Sequence, residues 1–159
     1  MQNLLIIEDN LIYSHFLVNS ICKELNNIRL YSIVDTGKKA LEILKKEKID
    51  IIILDLKLPD ISGIDIINYI EGNNLSQYYA SIIVLTNEID LLNQVINKKS
   101  VFTYSSKIDN IDSFIDKVRE LSKEKQDISL KNSIKEKISS ELEYLGFDFS
   151  YIGTRYLYD

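Results

Sequence analysis

Residues 51–63, IIILDLKLPDISG, decide how this chain folds. Four apolar residues (Ile51–Leu54) are followed by an acidic residue, Asp55, and the stretch closes with Pro59 and Gly63. An apolar run without polar alternation predicts a strand that is covered on both faces, as in parallel sheets. Pro59 fixes φ and Gly63 carries no Cβ, so a stiff turn is expected after the strand. The stretch predicts a buried strand that ends in a carboxylate and leads through a turn into a helix.

The same strand-and-helix unit recurs along the chain. Short apolar blocks, each too short for an independent helix, alternate with amphipathic helical patterns. Such alternation predicts right-handed βαβ crossovers and an α/β fold, a five-stranded parallel sheet with helices on both faces. The ligand site of such a sheet lies outside the carboxyl ends of its strands. The predicted strands are Leu4–Ile7, Leu30–Val34, Ile51–Leu54, Ile82–Leu85 and Val101–Tyr104.

Composition narrows the class of protein. A chain of 159 residues can bury a core without disulfides or zinc, and Cys22, the single cysteine, is expected to be a small buried hydrophobe. The formal net charge of −5 argues against non-specific DNA binding. Apolar runs such as Ile51–Leu54 are far shorter than the about 20 residues that span a bilayer, so no membrane association is expected. A reducing cytoplasm is the expected location.

The composition changes after residue 121. Residues 122–129 (SKEKQDIS) are polar and charged and predict a linker or an extended helix end. Residues 130–159 predict a helical extension, in which Gly146 can end an amphipathic helix. The apolar face of that helix is expected to be Leu130, Ile134, Ile138, Leu142 and Leu145.

Polar residues follow the predicted strands: Glu8 and Asp9 after the first, Asp55 after the third, Thr86 after the fourth and Lys107 after the fifth. A lone acid at a strand end is most often a helix cap. Three converging acids should instead repel one another unless a cation neutralises them. Mg²⁺ suits such a site, since it prefers carboxylate, water and phosphoryl oxygens.

This constellation, with Asp55-Leu-Lys-Leu-Pro59-Asp-Ile-Ser-Gly63 at its centre, resembles the receiver domain of two-component response regulators over residues 1–121. The resemblance implies a (βα)5 flavodoxin- or CheY-like fold. It also implies phosphorylation of Asp55 by a sensor histidine kinase or phosphotransferase. Mg²⁺ would be held by Asp9, Asp55 and the backbone carbonyl of Lys57, with Glu8 reaching the ion through water.

The resemblance implies three further roles. Lys107 would pair with Asp55 and then with a phosphoryl oxygen, the alternative being a solvated surface lysine. Thr86 would donate its hydroxyl to the phosphoryl group, the alternative being an ordinary strand-end residue. Tyr104 would rotate inward on activation and remodel the face made by the fourth helix, fifth strand and fifth helix, through which a homodimer could form. The alternative for Tyr104 is an aromatic that simply packs at the edge of the sheet.

The chain departs from the family pattern at two positions. Ile108 stands where a proline usually follows the lysine, and we expect a trans peptide bond there because a non-proline cis bond costs ~2.5–4 kcal/mol. Asn87 stands where a small residue is common and is expected to narrow access to the site. We also expect Lys57 and Glu88 to form a pair that slows attack of water on the acyl phosphate.

The last part of the chain, Ile138–Leu157, resembles the start of a sporulation-type (Spo0A-like) DNA-binding effector domain. The match is a helix that ends in Leu-Gly, a polar-aromatic turn and Gly-x-x-Tyr-Leu. It suggests a transcription regulator cut short, which would bind DNA only if a complete effector domain followed. The alternative is a private helical extension that covers the receiver or mediates dimerisation.

The leading prediction is therefore a receiver that controls an output, and the expected output is transcription. It is not expected to be an enzyme beyond Mg²⁺-dependent self-phosphorylation and autodephosphorylation. One alternative is a pseudo-receiver that signals by protein contact without phosphorylation. Another is a flavodoxin-like enzyme, but Glu8-Asp9-Asn10 lacks the small residues that would cradle a flavin phosphate, and Lys57 stands where a phosphoaspartyl hydrolase would need an acid.

Overall fold

The structure, a computed structural model, describes residues 1–73, 81–107 and 109–146. Within them, strands and helices alternate as predicted. The strands are β1 (Gln2–Ile7), β2 (Ile28–Val34), β3 (Ile51–Leu54), β4 (Ser81–Leu85) and β5 (Val101–Ser105). The helices are α1 (Leu11–Glu24), α2 (Gly37–Leu44), α3 (Gly63–Gly72), α4 (Ile89–Asn93) and α5 (Ile111–Tyr144).

The strands form one parallel sheet in the order β2-β1-β3-β4-β5. The predicted (βα)5 fold is confirmed. The order reverses between β1 and β3, and this is the switch point at which such sheets bind ligands. The Asp55 N–H donates to the Ile7 carbonyl at 2.9 Å, so the two strands end level with each other.

Alternate residues of each central strand face two separate cores. Leu5 and Ile7 of β1 pack with apolar residues of α2 and α3, whereas Leu4 and Ile6 pack with those of α1 and α5. All four residues of β3 are fully buried. The apolar run of β3 is unbroken because both faces of the sheet are covered, as the sequence predicted.

Residues 122–129 are helical, which corrects the prediction of a linker in favour of an extended helix end. Neither glycine nor proline occurs between Ile111 and Tyr144, so nothing in the sequence stops α5. The helix is followed by Gly146, whose φ of 80° is the left-handed conformation expected of a glycine at a helix C-terminus.

The chain divides into two units, residues 1–122 and 123–159. In the first, α5 buries apolar side chains such as Phe114 and Val118. In the second, Leu130, Ile134 and Ile138 are exposed on the same helix. Residues 147–159, which carry most of the predicted resemblance to an effector domain, lie outside the described residues, as does Ile108 with its expected trans bond.

Two smaller predictions need correction. The helical spacing of Ile89, Leu92, Val95 and Ile96 in the sequence predicts a fourth helix that includes all four residues. The helix instead ends at Asn93, where the N–H groups of Gln94 and Val95 bond to carbonyls three residues back, as in a tighter turn. Cys22 is exposed rather than buried. Among the described residues, no helix combines the length and the apolar character needed to cross a bilayer.

Candidate functional site

Three carboxylates meet at the carboxyl ends of β1 and β3. Ligand oxygens of Glu8, Asp9 and Asp55 all lie within 4.8 Å of one another. Glu8 and Asp55 are buried, with 1% and 4% of their surface exposed, whereas Asp9 is exposed. The cluster is therefore half enclosed, with its open side at Asp9.

Burial raises the pKa of Glu8, and this effect outweighs the nearby Lys107 ammonium and the hydrogen bond from the Asn10 N–H, which lower it. The Asn10 N–H donates to Oε1 at 3.1 Å. Oε2 is buried and, among the described residues, accepts no hydrogen bond of good geometry, although Lys107 Nζ lies 2.8 Å away. A buried carboxylate oxygen whose ion pair is poorly aligned is not fully satisfied, so this atom could accept a further hydrogen bond from a bound ligand.

Lys107 neutralises part of this negative charge. Its Nζ donates to Asp55 Oδ2 at 2.6 Å and lies 2.8 Å from Glu8 Oε2. Burial lowers the pKa of the lysine, but the two carboxylates outweigh burial and raise it. The ammonium therefore stays charged at neutral pH, in contact with the predicted phosphoacceptor.

The loop after β3 is held on both sides of Asp55. The Lys57 N–H donates to Asp55 Oδ1 at 3.1 Å, and the Lys57 ammonium lies 3.3 Å from Glu88 Oε1 at the surface. A Cβ on Gly63 would lie only 2.6 Å from the Asp55 carbonyl oxygen, so the absent side chain lets α3 begin against this loop. The Asp60 carboxylate accepts from the N–H groups of Gly37 and Lys38 at 2.8 and 2.9 Å and thereby ties the loop to the start of α2.

Thr86 directly follows β4 and Tyr104 lies in β5, and the two residues differ in their surroundings. Thr86 is buried, and its Oγ1 accepts from the Glu88 N–H at 3.1 Å. The Tyr104 ring is 44% exposed and lies 6.0 Å from the Lys117 ammonium, which donates to the Tyr104 carbonyl at 2.8 Å. Tyr104 is thus partly exposed at the edge of the sheet, and its predicted role as a switch stays a prediction.

Two residues near Lys107 have contacts that the sequence did not predict. The Tyr13 hydroxyl donates to the Lys107 carbonyl oxygen at 3.4 Å, and Lys107 Nζ lies 6.0 Å from the centre of the Tyr13 ring. Asn87 contacts Ser106 and the Lys107 backbone. Tyr13 lies on a helix rather than at a strand end, so the strand-end pattern carried no signal for it.

The residues fit a magnesium ion. Carboxylate oxygens are the ligands that Mg²⁺ prefers, and the ion keeps several of its waters. One of those waters would supply a well-aligned donor for Glu8 Oε2, whose ion pair with Lys107 is poorly aligned. A divalent cation would therefore relieve the repulsion among three acids that share a single lysine.

This fold with acids at the switch point of the sheet is that of receiver domains, and the comparisons with known proteins agree. The sequence profile described as "Response regulator receiver domain" matches residues 4–123. The chain belongs to this family. No match was found among the curated proteins.

Solved receiver domains are similar in structure. The signal receiver domain described as that of a Luxo repressor protein from Vibrio parahaemolyticus is 27% identical, with a TM-score of 0.71 over 81% of this chain and 95% of the other. A CheY-like protein from Methanospirillum hungatei is 18% identical, with a TM-score of 0.67 over 80% and 98%. The response regulator TrrA from Thermotoga maritima, solved in complex with Mg(2+)-BeF, is 24% identical, with a TM-score of 0.64 over 76% and 99%.

Proposed function

We propose that this chain is a phosphorylatable receiver and that Asp55 is its phosphoacceptor. The observation that carries the proposal is the arrangement around Asp55, where two other carboxylates lie within 4.8 Å and Lys107 Nζ lies 2.6 Å from Oδ2. A carboxylate is a competent phosphoryl nucleophile when cations neutralise the charge on the transferred group. The complete acid–Thr–Lys set favours this proposal over that of a pseudo-receiver.

The phosphodonor is a phosphohistidine of a sensor kinase or phosphotransferase. An oxygen of Asp55 attacks its phosphorus, an O–P bond forms, and the P–N bond breaks. The bonding electrons return to the imidazole nitrogen, and the product is an acyl phosphate. Water later attacks the phosphorus, the O–P bond to Asp55 breaks, and inorganic phosphate and the free carboxylate are released. We expect no enzymatic activity beyond this self-phosphorylation and autodephosphorylation.

The residues around Asp55 bind the metal ion or stabilise the transferred phosphoryl group. Glu8, Asp9, Asp55 and the backbone carbonyl of Lys57 would hold Mg²⁺, which when bound neutralises charge on the phosphoryl oxygens. Lys107 exchanges its bond to Asp55 Oδ2 for one to a phosphoryl oxygen. The lysine is already in place and charged, so little rearrangement is needed for it to stabilise the transferred group.

Phosphorylation is coupled to the output through Thr86 and Tyr104, which lie beside the site. The Thr86 hydroxyl turns toward the phosphoryl group, and the exposed Tyr104 ring moves into the space that it leaves. This change repacks the surface formed by α4, β5 and α5, which then binds a second copy of the chain or another output partner. We expect the output to be transcription, with DNA contacted only through a complete effector domain.

The test is incubation with acetyl phosphate and Mg²⁺, followed by the intact mass of the protein. The wild type should gain one phosphoryl group, and both EDTA and the substitution Asp55→Asn should abolish the gain. Asp65→Asn is the matched control, because Asp65 is an exposed residue in the first turn of α3 and should leave the gain unchanged.

A wild-type chain that gains no phosphoryl group would contradict the proposal and favour the pseudo-receiver. Phosphorylation that persists in Asp55→Asn would contradict the choice of phosphoacceptor. Gel filtration with a beryllofluoride mimic then tests whether activation produces a dimer.

A further inference from the structure

Asn87 connects the two loops that carry Thr86 and Lys107. Its Oδ1 accepts a hydrogen bond from the Lys107 backbone N–H at 3.0 Å and another from the Ser106 hydroxyl at 2.7 Å. A backbone N–H can only donate, so the oxygen of the amide has to face Lys107. This contact defines the orientation of the Asn87 side chain, which points at the loop after β5.

The hydrogen bond to the Lys107 backbone matters because the side chain of Lys107 is long and flexible. A lysine side chain loses considerable conformational freedom when its ammonium is held in one place. Ile108, the next residue, does not fix the backbone φ as a proline would. The two backbone polar groups of Lys107 contact side chains from outside its own loop: Asn87 at the N–H and, at a longer distance, the Tyr13 hydroxyl at the carbonyl oxygen.

We propose that Asn87 is a positioning residue that holds the Lys107 backbone so that Nζ reaches Asp55 and the incoming phosphoryl group. This inference rests on the proposed function and deepens it. Because Asn87 directly follows Thr86, the same amide ties the Thr86 loop to the Lys107 loop. Thr86 and Lys107, the two residues proposed to contact the phosphoryl group, are then positioned through the same side chain.

The competing explanation is that Asn87 acts only through its bulk and narrows access to the site. The two explanations predict opposite effects of Asn87→Ala. If Asn87 is only an obstacle, the smaller residue speeds the reaction with acetyl phosphate. If Asn87 positions Lys107, the loss of the acceptor slows it.

The experiment measures the rate of phosphorylation of the full chain by acetyl phosphate at saturating Mg²⁺. We expect Asn87→Ala to slow the rate about fivefold, the effect of losing one ordinary hydrogen bond. Mg²⁺ affinity, measured by calorimetry, should be unchanged, because Asn87 contacts none of the three carboxylates in the described contacts. Asn93→Ala, a change at an exposed asparagine at the end of α4, is the matched control and should leave the rate unchanged.

A double-mutant cycle identifies the group through which Asn87 acts. In a Lys107→Ala background, Asn87→Ala should have no further effect on the rate, since the group that it positions is gone. The exchange of the Lys107 amide hydrogen, followed by NMR, should be about fivefold faster in Asn87→Ala than in the wild type.

A faster or unchanged rate in Asn87→Ala would overturn the inference, as would an equal slowing with and without Lys107. Unchanged exchange of the Lys107 amide would also overturn it. A wild type that is not phosphorylated at all would instead refute the proposed function, and the amide exchange would still test whether Asn87 holds the Lys107 backbone.

Discussion

The two ends of the sheet are both polar, but their polar groups are satisfied in different ways. At the amino end, the Ser122 hydroxyl donates to Gln2 Oε1 at 2.7 Å and accepts from Asn27 Nδ2, while Gln2 Nε2 donates to the Ser122 carbonyl at 3.0 Å. At the carboxyl end, two buried carboxylates share Lys107, and Glu8 Oε2 lacks a well-aligned donor among the described residues.

The difference separates a structural network from a functional one. A closed network of neutral hydrogen bonds stabilises the fold and has no need of a ligand. An excess of buried negative charge with an unsatisfied oxygen lowers stability unless a cation binds. If the carboxyl end binds a divalent cation as proposed, the cation would offset the stability that the buried charge costs the free protein, whereas the amino end needs no such ligand.

The largest effect should come from Lys107→Ala at the carboxyl end. The rate of phosphorylation by acetyl phosphate should fall about tenfold or more, because a charge-assisted hydrogen bond of about 1.5–3 kcal/mol to the phosphoryl group is lost. The rate is measured by intact mass over time. Lys99→Ala, at an exposed lysine, is the control, and equal rates in the two variants would show that Lys107 plays no part.

At the amino end, Ser122→Ala should lower the free energy of unfolding by about 1 kcal/mol, because the side chains of Gln2 and Asn27 lose their shared partner. Urea denaturation measures this change, and Ser129→Ala, at an exposed position of α5, serves as control. The rate of phosphorylation should stay at the wild-type value. If Ser122→Ala slowed phosphorylation in addition to lowering the free energy of unfolding, the distinction between the two ends of the sheet would be wrong.

A smaller effect, on the half-life of the phosphorylated protein, is expected from the exposed ion pair beside the site. Lys57 and Glu88 form an exposed pair, with 74% and 47% of their side chains accessible, so its contribution is small. Lys57→Ala should shorten the half-life of the phosphorylated protein about twofold, because the pair no longer hinders the attacking water. Glu88→Ala should do the same, and the double variant should add nothing. An unchanged half-life in Lys57→Ala would refute the role of the pair.

The smallest effect concerns pH and the loop that carries Asp55. Burial raises the pKa of Asp60, but hydrogen bonds from the N–H groups of Lys38, Gly37 and Ile61 outweigh burial and lower it to about 2. The folded protein thus holds this proton less tightly than the unfolded chain, so the stabilisation is full above the ordinary pKa of 3.8 and is lost as pH falls toward 2. The urea midpoints of wild type and Asp60→Asn should therefore converge on acidification, and a constant difference would count against this origin.

Much of the fold could be predicted, because the buried strands are short, apolar and bounded by polar residues. The β3 run predicted its own burial on both faces, and Gly146 predicted the end of α5. The short α4 and the helical residues 122–129 were harder to predict. In both places the local pattern allows more than one backbone conformation, and apolar periodicity does not choose between them.

The sequence by itself determined that this chain forms a parallel α/β sheet and which acids end its strands, since apolar runs and polar ends are local properties. The strand-end pattern also led us to expect that Glu8, Asp9 and Asp55 converge, and the strand order gives the physical reason, since it places β1 beside β3. Only the tertiary structure decided which other residues join this site. It brings Tyr13 and Asn87 to the Lys107 backbone across separations of 94 and 20 residues. Contacts between loops depend on how the strands are ordered and how the helices pack, and the short sequence of each loop determines neither.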